Sequence, residues 1–361
     1  MKKTALSVSE GVPQPDSINR DAVNRLKKAK KRQYSTAELL EGIRNGDITL
    51  LSQAITLVES SLPQHQSEAQ ELIAASLPYS GKAFRLGITG IPGAGKSTFI
   101  EALGKHILDQ GGRLAVLAID PSSERSKGSI MGDKTRMEEL SGRPEAYIRP
   151  SPSGGTLGGV ARKTRETIIL CEAAGYDTIF VETVGVGQSE TAVHSMVDFF
   201  LLIMLAGAGD ELQGIKRGIM ELADAIVINK SDGNNIQKAR RAQAEFANAL
   251  HLFPPPLSGW TPLVKTCSSL YSTGIAEIWE MVGDYNLFVS KNGYLKNRRD
   301  EQSTYWMFET IREGIYNQVF NDPVMQQELD KHEKAITEGL MTSYMAAVSI
   351  LNKYKSQKKN S

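Results

Sequence analysis

The chain has 361 residues, of which 40% are hydrophobic and 23% are charged, and its formal net charge is +1 at pH 7. This composition is typical of a globular protein, and the near-neutral charge disfavours nucleic acid or an acidic membrane surface as a partner. The two cysteines, Cys171 and Cys267, are too few for a disulfide framework, and no apolar run is long enough to cross a membrane. We therefore expect a cytoplasmic protein without nucleic-acid or membrane partners.

The first 80 residues combine a polar segment with a helical region. Residues 1–34 carry a basic run at 25–32, which we interpret as a solvated helix or a loose arm rather than as a nucleic-acid or partner contact. Ser35 or Thr36 then resembles a helix N-cap. Apolar residues at helical spacing predict three helices, which contain Leu39, Leu40 and Ile43; Leu50, Leu51, Ala54, Ile55 and Val58; and Ala69, Leu72, Ile73 and Ala75. We predict a helical domain over residues 35–80.

From about residue 83, short apolar runs alternate with helical patterns. Six such runs are predicted to be strands: residues 84–89, 114–119, 178–181, 199–205, 225–228 and 262–266. Continuous apolar strands separated by helices indicate an α/β fold, with a mostly parallel central sheet that helices cover on both faces. We assign residues 81–285 to this domain and expect its ligand at the carboxyl ends of the strands.

The first predicted strand runs into a phosphate-binding loop. The pattern G-x-x-x-x-G-K-[ST] is matched by Gly90, Ile91, Pro92, Gly93, Ala94, Gly95, Lys96 and Ser97. A strand, a glycine-rich turn and a helix N-terminus present backbone N–H groups and a positive dipole to phosphate. We predict that Lys96 reaches the β- and γ-phosphates, that Ser97 binds Mg²⁺ and that Thr98 belongs to the same site. The strand–helix context disfavours a glycine-rich turn without a ligand.

A second motif, N-K-x-D, follows the fifth predicted strand at residues 229–232. Asp232 can accept hydrogen bonds from the N1–H and the exocyclic amine of guanine, a donor pair that adenine lacks. We expect Asn229 and Lys230 to hold the loop and cover the base. The backbone N–H groups after the last predicted strand are expected to meet the guanine oxygen, at Ser268, Ser269 and Leu270. The predicted ligand is therefore GTP or GDP rather than ATP.

Glu182 ends the third predicted strand, where GTPases usually carry the aspartate of D-x-x-G. We expect Glu182 to hold Mg²⁺ directly or through water, and the N–H of Gly185 to sense the γ-phosphate. Gln188 either orients the attacking water or is an exposed loop amide, and the sequence leaves both interpretations open.

Two further charged segments are candidates for the same site. Asp120 and Asp133 lie between the phosphate-binding loop and Glu182, and we predict them in the Mg²⁺ shell and the first switch. Lys216 or Arg217 follows the run at 199–205 and could supply positive charge to the transferring phosphoryl group, in cis or across a dimer. A solvated charged turn is the alternative interpretation of that segment.

Residues 286–361 are predicted to be helical again. Apolar residues share one helix face at Phe308, Ile311, Ile315 and Val319, and Asn-Asp-Pro at 321–323 breaks the chain. A second long stripe contains Leu329, Ile336, Leu340, Tyr344, Ala347 and Leu351. The polar tail after residue 354 is predicted to fray. The helical hairpin either packs on its own domain or buries its stripe on a second subunit, and the pattern leaves both open.

Together these motifs resemble the MeaB/ArgK family, GTPases associated with methylmalonyl-CoA mutase. The most specific motif is E-T-V-G-V-G-Q-S-E at residues 182–190, and the resemblance extends from about Leu39 to about Leu351. It implies a P-loop GTPase of the signal-recognition and MinD-like class. It also implies an N-terminal helical extension and a C-terminal dimerisation arm.

The resemblance further implies a function and residue roles. A homodimer would hydrolyse GTP to GDP and phosphate, gate the loading of adenosylcobalamin into the mutase, and protect the mutase or release damaged cofactor. Asp210 and Lys216 would lie in a third switch that responds to the mutase. The predicted catalytic residues are Lys96, Glu182, Asp120, Gln188 and Lys216. The alternatives are a kinase for arginine or ornithine transport-binding proteins, a nickel chaperone of the same GTPase class, and a nucleotide-gated scaffold whose hydrolysis is incidental.

Overall fold

A computed structural model describes residues 34–119, 137–150, 157–183, 189–207 and 217–359. Within these ranges seven strands form one sheet: β1 (Phe84–Gly90), β2 (Leu114–Ile119), β3 (Ala146–Arg149), β4 (Thr178–Thr183), β5 (Phe199–Leu205), β6 (Ala225–Asn229) and β7 (Leu263–Thr266). The strand order is β3-β2-β4-β1-β5-β6-β7, and every pairing is parallel. The predicted α/β fold with a parallel sheet is confirmed.

Helices cover both faces of this sheet and form both ends of the described chain. They are α1 (Thr36–Arg44), α2 (Ile48–Glu59), α3 (Pro63–Ser76), α4 (Lys96–Asp109), α5 (Glu138–Ser141), α6 (Leu157–Ala173), α7 (Ser189–His194), α8 (Arg217–Leu222), α9 (Ile236–Leu250), α10 (Ile275–Lys291), α11 (Tyr294–Phe320), α12 (Pro323–Thr337) and α13 (Ser343–Lys359). None of these helices is long and apolar enough to span a membrane.

Two hydrophobic clusters form, one for each face of the sheet. The first cluster joins the sheet to α4, α9 and α10 through residues such as Phe99, Phe246 and Tyr285. The second cluster joins the sheet to α6 and to the N-terminal helices, and it includes Leu51 and Leu72. The strands are apolar on both faces because each face is buried, which explains their continuous rather than alternating hydrophobic pattern.

The N-terminal helices begin where their caps are. Ser35 accepts a hydrogen bond from the N–H of Glu38, and the Glu38 carboxylate accepts one from the N–H of Ser35, which completes a capping box. Asp47 caps α2, because its carboxylate accepts hydrogen bonds from the N–H groups of Thr49 and Leu50. The predicted cap at Ser35 is confirmed.

The sequence analysis missed one strand. β3 has only four residues, and Ala146 and Tyr147 are its buried members, whereas Ile148 and Arg149 are partly exposed. It lies at the edge of the described sheet, where its neighbour is β2. A short edge strand that ends in arginine carries too little apolar periodicity to be found from its own residues.

The C-terminal segment differs from the prediction in three respects. The break at 321–323 is present, because α11 ends at Phe320 and Asp322 caps α12. However, the second stripe does not lie on one helix: α12 ends at Thr337, Gly339 has a φ of +71°, and α13 begins at Ser343. The tail predicted to fray continues as helix to Lys359. Residue 286 itself lies inside α10, so the chain does not change element there.

The helix α11 is half attached and half exposed. Arg298 and Trp306, both in the first half of this helix, are buried against the sheet domain. Further along, Phe308, Ile311 and Ile315 are 57%, 50% and 55% exposed. The base of the arm therefore packs on its own domain, whereas its outer apolar face is uncovered by the described part of the single chain.

Candidate active site at the carboxyl edge of the sheet

The phosphate-binding loop connects β1 to α4 and needs glycine for steric reasons. A Cβ on Gly90 would lie 2.2 Å from the carbonyl oxygen of Ile203 on β5. Gly93 and Gly95 have φ of +77° and +87°, a region that L-residues with side chains rarely adopt. Gly95 is the N-cap of α4 and provides no side-chain cap. The first N–H groups of α4 therefore have no acceptor from a capping side chain and can bind phosphate.

Lys96, the first residue of α4, has its ammonium folded over the loop. Its Nζ donates to the carbonyl oxygens of Gly90 at 3.0 Å and Ile91 at 3.4 Å. Burial lowers the pKa of Lys96, and the negative charges of Glu182 and Glu190 oppose this effect. The ammonium is thus half-buried within electrostatic reach of two carboxylates. A phosphate group bound to the loop would therefore lie close to the positively charged ammonium of Lys96.

Asn229, the last residue of β6, connects the phosphate loop with the loop that follows β7. It is 1% exposed. Its Nδ2 donates to the carbonyl oxygen of Ala94 at 2.8 Å. Its Oδ1 accepts from the backbone N–H of Ser269 at 3.1 Å and from the Ser269 hydroxyl at 2.8 Å. One buried amide therefore fixes the position of three loops relative to one another, because both its donor and its acceptor are used.

Asp232 lies beside the loop that follows β7. The hydroxyl of Ser268 donates to Asp232 Oδ2 at 2.6 Å, which orients the carboxylate. Lys230 adopts a φ of +57°, and its side chain is exposed. Leu270, the third member of the predicted 268–270 contact, is 71% exposed. The structure thus brings Asp232 and Ser268 together although 36 residues separate them in the chain.

Glu182 is buried at the end of the central strand β4, between β2 and β1. The next residue, Thr183, shares a buried hydrogen bond of 2.8 Å between its hydroxyl and that of Thr89 on β1. Thr89 directly precedes the phosphate-binding loop. The strand that carries Glu182 is therefore tied to the strand that leads to Lys96 at their carboxyl ends.

Glu190 is a site residue to which the sequence analysis assigned no role. It lies on α7 and is 1% exposed, and its negative charge acts on Lys96. It belongs to the motif at 182–190, so its position directly after the predicted switch was the available signal. Six predicted site or switch residues lie outside the described residues: Asp120, Asp133, Gly185, Gln188, Asp210 and Lys216. The strand ends that lead to residues 120 and 184 are neighbours, because Ile119 pairs with Thr183.

A family model described as "Methylmalonyl Co-A mutase-associated GTPase MeaB" matches residues 51–324. The matched region contains the phosphate loop, the motif at 182–190 and the N-K-x-D motif. The chain belongs to this MeaB family. The resemblance inferred from the motifs is therefore confirmed.

Relatives of this MeaB-family chain carry GTPase names. A protein of Mycobacterium tuberculosis named "Probable GTPase" is 49% identical over 313 residues, which are 87% of this chain and 93% of the relative. The "GTPase ArgK" of Escherichia coli is 49% identical over 288 residues, 80% of this chain and 87% of the relative. The mouse protein "Methylmalonic aciduria type A homolog, mitochondrial" is 45% identical over 337 residues, 91% of this chain and 81% of the relative.

One solved structure, that of a protein named "LAO/AO transport system kinase", has the same fold. It covers 91% of this MeaB-family chain and 100% of its own, with a TM-score of 0.73 and 37% sequence identity. Family, relatives and fold together identify the chain as a P-loop GTPase that binds guanine nucleotide and hydrolyses GTP. The predictions of the fold class and of a GTP hydrolase are confirmed.

Proposed function

We propose that this GTPase is a G-protein chaperone for an adenosylcobalamin-dependent methylmalonyl-CoA mutase, in which GTP hydrolysis times the loading, protection and reactivation of the mutase cofactor. The observation that carries the proposal is the family match over residues 51–324, whose description names the mutase. The name of the mouse relative, which refers to methylmalonic aciduria, points to the same metabolism. The cytoplasmic location remains a prediction from the sequence.

The chain's own groups account for nucleotide binding in this mechanism. The N-terminal N–H groups of α4 and the Lys96 ammonium hold the phosphates and stabilise the charge that builds up during transfer. Asp232, oriented by Ser268, selects guanine. Asn229 keeps both halves of the site in register. The proposed switch residues at 120, 133, 185, 188, 210 and 216 lie outside the described residues.

The site fits a Mg²⁺ ion in the chemistry of its donors. Ser97, on the first turn of α4, and Glu182, buried at the end of β4, carry oxygen atoms of the kind that Mg²⁺ prefers, at the same edge of the sheet. Among the described residues no group of three His, Cys, Asp or Glu side chains converges on a metal position. Ser97 and Glu182, with Asp120 and Asp133, would hold Mg²⁺ next to the nucleotide. The ion would neutralise charge on the β- and γ-phosphate oxygens.

We further propose that the protein acts as a homodimer. The apolar face of α11 at Phe308, Ile311 and Ile315 is exposed, and on α13 the apolar residues Tyr344 and Leu351 are 79% and 50% exposed. A second subunit is the simplest cover for such a surface. Ile311→Asp combined with Ile315→Asp should give a monomer in sedimentation experiments. Asn317→Asp, a matched change at an exposed position on the opposite side of the same helix, should leave the dimer intact.

One rival function rests on the name of the solved neighbour, a transport system kinase. A kinase that uses ATP would have to accept adenine opposite Asp232, whose carboxylate pairs poorly with adenine's edge. A scaffold with incidental hydrolysis is the other rival. A Glu182→Gln variant that binds GTP but does not hydrolyse it, compared with Lys96→Ala, tests the scaffold. Mutase protection by Glu182→Gln that equals wild type would favour it.

The test of the proposed function is GTP hydrolysis by the purified protein, with and without methylmalonyl-CoA mutase, with ATP as the control nucleotide. We expect slow intrinsic hydrolysis of GTP that the mutase accelerates, and no comparable hydrolysis of ATP. Hydrolysis of GTP that does not respond to the mutase, with no complex in co-sedimentation, would overturn the partnership and leave the GTPase intact. Cofactor transfer into the apo-mutase, followed by the cobalamin absorption spectrum, tests the chaperone step separately.

A further inference from the structure

A cavity of about 310 Å³ lies at the opposite edge of the sheet from the nucleotide site. It is bounded by the end of the N-terminal helices, by α6, by the segment after α7 and by the base of α11. Arg85, near the amino end of β1, lines it, whereas the phosphate loop follows the carboxyl end of the same strand. The length of the strand separates the two sites by about 20 Å. The volume is at the lower end of the range for small-molecule sites, roughly 300–1,000 Å³.

Three arginines line this cavity, and two of them have their charge neutralised by the protein. Arg85 pairs with the buried carboxylate of Glu172 at 2.9 Å. Arg299 pairs with the buried carboxylate of Asp198 at 2.5 Å, and it also donates to two backbone carbonyl oxygens. These two side chains form walls of the cavity but have little charge left to attract a ligand.

Arg165, on α6, differs from both. It forms no ion pair with any described residue, and its buried Nε has no hydrogen-bond partner among them. Its guanidinium carbon lies 4.6 Å from the ring centroid of Trp306. Burial lowers the pKa of Arg165 to about 10, and the like charges of Arg162 and Arg85 add to this effect against the attraction of Glu166. A partly buried cation without an ion-pair partner gains when a ligand supplies the negative charge.

The remaining walls define what else the ligand must carry. Apolar side chains of Leu77, Ile169, Met196 and Trp306 line the cavity beside Arg165. The Glu166 carboxylate is occupied on one oxygen by the Gln70 amide at 3.2 Å. A guanidinium at one side and an apolar surface at the other fit a small amphipathic anion.

We propose that this cavity binds a small organic anion, with one carboxylate or phosphate head on Arg165 and a short apolar body against Leu77 and Ile169. The head group completes the hydrogen bonding of the guanidinium, which presents planar donors that match either anion. The apolar body contributes by burial of its surface. The site is separate from the nucleotide, so it does not depend on the proposed mutase partnership.

The proposal can be tested by calorimetric titration of the full-length protein saturated with GDP, so that the phosphate loop is occupied. The probes are hexanoate and hexyl phosphate, which distinguish the two head groups, and hexanol, which has the same body without charge. We expect at least one anionic probe to bind about tenfold or more tightly than hexanol. Failure of both anions to bind the wild-type protein would overturn the proposal.

Two matched variants assign the binding to the cavity. Arg165→Gln should weaken the anion by about tenfold or more, because it removes a charged hydrogen-bond donor. Arg162→Gln removes the same charge one turn earlier on α6, at a residue that does not line the cavity, and should change affinity less than about twofold. Equal losses in the two variants, or no loss in Arg165→Gln, would contradict the assignment.

A cavity-filling variant keeps the test independent of the folding of Arg165→Gln. Ser303 lines the cavity from an exposed position of α11, and its hydroxyl donates to the Arg299 carbonyl oxygen in its own helix. Ser303→Phe should abolish anion binding while GDP affinity, which reports folding, stays unchanged. Undiminished anion binding by Ser303→Phe would place the anion elsewhere and overturn the proposal.

Discussion

The two edges of the central sheet both carry buried polar groups but use them differently. At the amino edge, an aspartate directly precedes three of the strands, and each one accepts a hydrogen bond from the backbone near the start of a neighbouring strand. The pairs are Asp177 with the N–H of Arg113, Asp198 with the N–H of Arg85, and Asp224 with the N–H of Phe200, each at 2.9 Å. These three carboxylates therefore stabilise the fold by accepting backbone hydrogen bonds.

The arm is fastened to that same edge. Arg299 at the base of α11 pairs with Asp198, and Arg298 reaches Asp224 at 3.5 Å. Burial raises the pKa of Asp224, against the attraction of Arg298. The shifted pKa of Asp224 therefore indicates a structural ion pair rather than a binding site, because Arg298 and the N–H of Phe200 already contact the carboxylate.

At the carboxyl edge, some polar groups connect loops to one another. Others still have hydrogen-bond donors that can bind a ligand. Asn229 uses its amide to fix three loops, whereas Lys96, within the described chain, donates to carbonyl oxygens of its own loop. The N-cap of α4 offers its first N–H groups no side-chain acceptor. Burial of a polar group alone therefore does not identify a ligand-binding site. What identifies it is whether the protein has already satisfied the group.

The largest effect is expected at the amino edge. Arg299→Met leaves the Asp198 carboxylate, whose side chain is fully buried, without its cation. We expect the free energy of unfolding to fall by about 3–5 kcal/mol, measured by urea denaturation. Arg312→Met removes an arginine from a mostly exposed pair with Glu309 on the same helix and should cost about 1 kcal/mol or less. Similar losses of unfolding free energy in the two variants would mean that the Arg299–Asp198 pair does not stabilise the fold more than a surface pair does.

The next effect concerns catalysis rather than stability. Lys96→Ala should lower the rate of GTP hydrolysis by about 100-fold or more, because it removes the positive charge on the phosphate loop. The free energy of unfolding should change little, because the Lys96 ammonium donates hydrogen bonds only to carbonyl oxygens of its own loop among the described residues. Lys105→Ala, on the same helix but in a surface pair with Glu139, is the control and should keep wild-type turnover. A stable Lys96→Ala enzyme with normal turnover would remove Lys96 from the site.

A smaller loss is expected in base recognition. Asp232→Asn should weaken GTP by about 10- to 100-fold, because a charged acceptor is lost, and should narrow the preference for GTP over ATP. Ser268→Ala, which removes only the 2.6 Å bond that orients the carboxylate, should weaken GTP less. Fluorescent-nucleotide titrations measure both. Unchanged discrimination between GTP and ATP in Asp232→Asn would exclude its assigned role.

The smallest expected effect is a loss of folding stability at acidic pH that is caused by His194 on α7. Burial lowers the pKa of His194 from 6.5 to about 3, and the ring packs edge-on against Phe200. Between these values the unfolded chain binds a proton that the native chain does not, so stability falls as the pH falls below 6.5. From about pH 7 to pH 5 this contribution should cost about 1–2 kcal/mol.

A His194→Phe variant tests this assignment, because it should lose that part of the pH dependence in urea titrations at the two pH values. His251→Gln, at an exposed position, is the control and should keep it. The same acid destabilisation in His194→Phe and wild type would assign the effect to other groups.

Elements with local signals could be predicted from the amino-acid sequence. The phosphate loop, six of the strands and the cap at Ser35 follow from spacing over a few residues, and the order of strand and helix already implied a parallel sheet. The family also followed, because its motifs are short and contiguous.

Only the tertiary structure decided which distant groups meet. Asn229 bonds Ala94 across 135 residues, and this contact exists because β5 alone separates β1 from β6 in the sheet. The short strand β3, the charge of Glu190 beside Lys96 and the position of Arg165 over Trp306 depend on neighbours from other elements in the same way. A periodic pattern reports which face of an element is buried, but it carries no information about which element covers that face.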